Sequence, residues 1–109
     1  MLSGEYKAFR ILFEVYNVML GMKSIMLLLP DVEDDVKEMV KVAIKNIQLF
    51  EQIDSPKSDE FALFTEYVRE KWNKEDVRKV LTSVMAYEKG TISLDELAVI
   101  LCEVVNKYV

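Results

Sequence analysis

Histidine is absent from this chain, and cysteine, proline and glycine are scarce: one Cys, two Pro and three Gly in 109 residues. Without histidine there is no imidazole to act as general base, metal ligand or switch near neutral pH. The single thiol, Cys102, cannot close an internal disulfide, so a reducing compartment, the cytoplasm, is expected. Three Gly and two Pro are too few for the many turns of an all-β fold. Lys7 and Arg10 precede an apolar run, but Glu14 interrupts it and no small-residue cleavage site follows, so a secretory leader is not expected. Positive charge is in deficit as well. Fourteen Lys and Arg against nineteen Asp and Glu leave a net charge of −5, which disfavours general attraction to phosphate without excluding a local basic patch.

What remains is largely apolar, 51% of the chain, enough for one core and one domain over residues 1–109 without metals or disulfides. The first helix, from near Ser3–Glu5 to just before Pro30, is apolar on nearly every side. Its polar residues Lys7, Arg10, Glu14, Asn17 and then Gly21 fall on one narrow line, and Phe9, Leu12, Phe13, Val15, Tyr16, Val18, Met19, Leu20 and Met22 cover the rest. Such a helix must be surrounded by its own chain, a partner or lipid. The stretch Ile11–Leu29 is long enough to cross a bilayer, but it would carry Glu14 and Lys23 inside at roughly 2.5–3.5 kcal/mol each. A buried helix of a globular domain is the expectation, with no membrane.

Pro30 and Asp31 open a second helix, with Glu33, Asp34 and Asp35 at its positive dipole end and an apolar stripe of Val36, Val40, Ala43, Ile47 and Phe50, widened by Val32, Met39 and Ile53. Asp54–Ser58 has turn chemistry, and Ser58 is a candidate cap for a third helix from Asp59 to Trp72, with Phe61, Phe64, Val68 and Trp72 on one face. Asn73 caps a fourth helix with core positions Val77, Val80, Leu81 and Val84, which ends at Lys89-Gly90. Ser93-Leu94-Asp95-Glu96 is a capping box for a fifth, whose main stripe is Leu94, Leu97, Leu101, Val104 and Tyr108. The expected fold is all-α: a compact bundle of about five helices with the long apolar N-terminal helix at its centre.

Candidate sites are few. Gly90–Glu96 has the spacing of the second half of an EF-hand loop, but Met85, Tyr87 and Lys89 stand where oxygen ligands are required, so it reads as a helix end followed by a capping box. The short connection between the fourth and fifth helices would suit a helix-turn-helix, but the fifth helix offers Asp95, Glu96 and Glu103 to a phosphate backbone. The basic residues Arg69, Lys71, Lys74, Arg78 and Lys79 gather instead at the junction of the third and fourth helices, and Lys37, Lys41 and Lys45 line the second. Either group is a candidate nucleic-acid contact, although such stripes usually mark a solvated face. Asp31, Asp34, Asp35 and Glu38 could hold Mg²⁺ if Glu66 and Glu70 faced them, but acids at a helix start are also explained by the dipole. No metal, cofactor or small-molecule substrate is expected.

An interaction surface is the stronger expectation. Met19, Met22 and Met26 lie on one side of the first helix, where flexible thioethers fill a core or line an adaptable groove. Asn46 falls inside the apolar arc of the second helix, either as a buried register-fixing amide or as an edge position. Val99, Cys102, Val105 and Val109, together with Ala98, widen the apolar surface of the fifth helix beyond a single stripe. The expected function is therefore a non-enzymatic, accessory or regulatory helical module for protein–protein interaction, most economically a homodimer. A nucleic-acid-binding regulator and a Mg²⁺-dependent enzyme are the alternatives.

Overall fold

Punctuation in the sequence sets the helix ends. The computed structural model describes residues 4–50 and 59–109. Helix α1 spans Gly4–Leu28, a 3₁₀ turn Pro30–Val32, α2 Glu33–Phe50, α3 Asp59–Lys71, α4 Lys74–Glu88 and α5 Leu94–Asn106, with no strand among the described residues. Pro30 disfavours helical geometry at the residue before it, and Leu29 turns extended at φ −132°, ψ 86°. Trp72 lies one residue beyond α3 but still donates its N–H to the Val68 carbonyl at 3.1 Å. The Asp54–Ser58 loop, the Ser58 cap, Ile53 and the start at Ser3 lie outside the described residues.

The caps form as the residue types dictate. Asn73 Oδ1 accepts from the Glu75 N–H at 2.7 Å. Gly90 is left-handed at φ +80°; its N–H donates to Tyr87 and that of Thr91 to Ala86, the paired bonds of a Schellman ending. Ser93 and Glu96 complete their reciprocal capping box.

Helices α1 and α2 form an antiparallel hairpin through the 3₁₀ turn. An ion pair joins Lys41, mid-way along α2, to Asp95 at the start of α5 (2.6 Å), and the start of α2 lies beside the end of α5, so the two helices run antiparallel. The Lys7–Glu88 pair brings the end of α4 to the start of α1. At the other end of α4, Asp76 meets Lys107 and Tyr108 from the C-terminus. Helix α5 therefore packs against α1, α2 and α4 at once. Three neighbours explain the breadth of its apolar surface: Leu97, Ala98, Leu101, Val104 and Val105 are all buried.

Helix α3 packs against α1 through aromatic rings and also touches α4. Tyr6 and Phe13 of α1 meet Phe61, and Phe13 and Tyr16 meet Phe64, at centroid distances of 5.1–5.6 Å. Trp72 continues the wall and stacks flat on Tyr108, 4.0 Å apart with planes 6° from parallel. Residues 6, 13 and 16 share a face of α1 by helical spacing, so one side of that helix is built for α3.

Candidate protein-interaction surface

The central helix is covered for only part of its length. Ala8, Ile11, Leu12, Val15 and Met19 are at most 2% exposed. Beyond Met19 only Met22 and Met26 stay packed against the core. Leu20 is 48% exposed, Ile25 41%, Leu27 79%, Leu28 80% and Leu29 58%. Leu20 and Leu27, seven residues apart, extend the face that carries Phe13 and Tyr16, past the reach of the aromatic wall. In length and hydropathy α1 qualifies as a membrane span, and 22% of its most apolar 18-residue window is buried. The buried part of that window is the centre of the bundle core, so only the C-terminal end is free to meet anything else.

Two concave surfaces lie along α1. On one side, Arg10, Glu14 and Val18 of α1 and Met39, Val42, Ala43, Asn46 and Ile47 of α2 line a groove. Met39 and Val42 are about half exposed, and Ile25 lies two turns beyond Val18 on the same face. On the other side, α1, the start of α2 and the second half of α5 enclose a cleft of about 250 Å³. Its apolar lining is Met19, Met26, Val36, Val99 and Cys102, and its polar lining is Glu33, Asp34, Lys37, Glu103 and Asn106. Burial pushes the Cys102 thiol pKa up, so the thiol is neutral at physiological pH.

The expected interface residues separate accordingly. Met19, Met26, Val99 and Cys102 come together in the cleft. Met22 and Val109 are half-buried against the core. Val105 is fully buried under the chain's own helices, and Met19 is 2% exposed, forming only the cleft's floor, so neither supplies outer surface. Asn46 is exposed within the single chain, at the edge of the α1–α2 groove. The residues missed by the sequence reading are Leu20, Ile25 and Leu27–Leu29. A signal for them exists: three consecutive leucines subtend about 200° of a helix, more than a single packed stripe covers.

The other candidates are dispersed or partnered. Arg69 pairs with Glu5 at 2.5 Å and lies over the Phe9 ring, while Arg78 reaches Glu75 at 3.5 Å. Lys71, Lys74 and Lys79 are exposed around them. Lys41 is held by Asp95 and Glu38. Among the described residues no three carboxylates or thiols converge to hold a metal, and α2 and α3, the helices of the two acidic groups, do not touch. Gly90–Glu96 is a helix ending and a capping box. No protein-family model, curated protein or solved structure matches the chain.

Proposed function

We propose that this chain is a non-enzymatic helical interaction module that self-associates through the uncovered end of α1. The observation that carries this reading is the exposure of Leu27 and Leu28, 79% and 80%, at the end of a helix whose earlier turns form the core. Leu20 shares the arc of Leu27, and Leu28 and Ile25 carry exposed apolar surface around the helix toward the α1–α2 groove that holds Met39 and Val42. A contiguous apolar patch of this kind marks a binding surface on a folded protein. A second copy is the occupant because a two-fold contact matches each apolar stripe with itself. The exposed acids Asp31, Glu33, Asp34 and Asp35 just after the leucines oppose an anionic lipid surface as the alternative cover.

Light scattering on a size-exclusion column gives the test. The expected mass is twice 12.7 kDa at low and high salt, since an apolar contact is not weakened by screening. Leu27→Glu combined with Leu28→Glu is expected to give a folded monomer. A wild-type chain that is monomeric at tens of micromolar (an affinity weaker than roughly −6 kcal/mol), or a dimer indifferent to both changes, overturns the reading.

A further inference from the structure

The cleft between α1, α2 and α5 lies on a different face of α1 from the exposed leucines. Met26 and Leu27 are adjacent in sequence and about 100° apart around the helix. Five apolar side chains from three helices line it, two of them methionines, which repack to follow a guest's shape. Its polar lining is unbalanced. Glu33, Asp34 and Glu103 supply three negative charges against the single positive charge of Lys37. At about 250 Å³ the cleft is smaller than the roughly 300–1,000 Å³ of sites that enclose a whole small molecule, and is suited to one anchoring side chain of a larger partner. The flanks are helices and offer no sheet edge for an extended peptide.

We infer that this cleft binds an amphipathic helix of another protein, one that inserts an apolar anchor between Met26, Val36 and Val99 and sets Lys or Arg against Asp34 and Glu103. The anchor displaces water from Met26, Val99 and the uncharged thiol of Cys102, over a floor of Met19 and Val36 that is already buried. The flanking cations meet carboxylates that are exposed and so need no desolvation before encounter. This partner is distinct from the second copy proposed above, and the two surfaces are separable by mutation.

Cys102 is the only cysteine in the chain, so thiol labelling reports directly on the cleft. The probe is a fluorescent Leu/Lys amphipathic peptide of about 18 residues, five helical turns, compared with its Leu/Glu counterpart and a scrambled Leu/Lys sequence. Fluorescence anisotropy at about 150 mM salt is expected to show the Leu/Lys helix binding at least about tenfold tighter than either control. Asp34→Lys combined with Glu103→Lys is expected to weaken it about tenfold or more. Glu66→Lys combined with Glu70→Lys, an equal charge change on exposed positions of α3, is expected to leave it unaltered. Saturating peptide should slow Cys102 alkylation severalfold, each variant being compared with itself without peptide. Equal binding of the scrambled peptide, equal weakening by both double variants, or unprotected Cys102 overturns the inference. Light scattering on the same samples keeps it apart from self-association, which the α3 and cleft variants should leave intact and Leu27→Glu with Leu28→Glu should abolish without loss of peptide binding.

Discussion

Between Ala8 and Met19, α1 lies inside a bundle; between Leu20 and Leu28 it leaves it, although large apolar residues continue through both stretches. Leu12 is 1% exposed and Leu27 79%. The difference lies in the neighbours. The first stretch has α3 on its aromatic side, α4 and α5 on another and α2 on a third. The last turns keep Met22 and Met26 packed against the core while their remaining faces meet solvent. Apolar character in a helix therefore states a demand for cover, and tertiary structure decides which part of that demand the chain meets itself.

The sharpest way to break the comparison is to remove the same side chain at both places. Leu12→Ala leaves a cavity at the centre of the bundle and is expected to cost about 2–5 kcal/mol of unfolding free energy. Leu27→Ala removes a group already in water and should fall within about 0.5 kcal/mol of the parent, at concentrations where the chain is monomeric. Urea melts of the two variants measure both. Similar losses would mean that the end of α1 is covered within one chain after all.

A smaller effect is expected where the covered region is latched. The Tyr108 hydroxyl donates to Asp76 Oδ2 at 2.5 Å and accepts from the Asn73 N–H at 3.0 Å, pinning the C-terminus over the corner between α3 and α4. Tyr108→Phe keeps the stack on Trp72 and is expected to cost about 1 kcal/mol. The hydrogen bond from Tyr108, and then that from Lys107, hold the Asp76 carboxyl below its ordinary value of 3.8. A lowered carboxyl pKa favours folding when the group is ionised, so its contribution is full well above pH 3.8 and disappears as acidification protonates it in the folded state. Asp76→Asn should therefore melt below the parent at pH 7, and the gap should narrow as the pH falls toward about 3. A gap that is constant with pH would show that the latch acts by packing alone.

Much of this architecture is legible in the sequence, because capping and periodicity are local. Asn73, Gly90 and the Ser93–Glu96 pair mark helix ends that the structure places within a residue or so of expectation, whereas Pro30 opens a 3₁₀ turn and α2 itself starts only at Glu33. What is not local was misjudged in both directions. Ala98 and Val105 sit on what sequence alone marks as a surplus side of α5, and both are buried because α5 has three helical neighbours, while Val99 and Cys102 stay open to the cleft. Leu20 and Leu27 belong to the same arc of α1 as Phe13, and nothing within α1 announces that α3 covers Phe13 and leaves the leucines bare. The cleft is legible in part: its methionines and Cys102 stand out in one dimension, but its acidic lining arises only when the start of α2 is brought beside the end of α5.

The least effect on the single chain is expected from Leu27→Ser with Leu28→Ser, and it sharpens the comparison most. A side chain already in solvent has little burial to lose, so the melting temperature of a dilute sample should hardly move. In the self-associating parent, the folded state gains stability from its partner by mass action, by about 1.4 kcal/mol per dimer, or about 0.7 per chain, for each tenfold rise of concentration above the dissociation constant. The parent's melting temperature should then climb with protein concentration, while that of the double variant stays flat. Leu12→Ala should lower the whole curve and leave its slope, because it damages the fold and not the contact. Parallel curves for parent and double variant would place the exposed leucines outside any self-association. Converging curves at dilution, separating as the protein is concentrated, would show that the two ends of one helix serve two kinds of cover, the chain's own at Leu12 and a second copy's at Leu27.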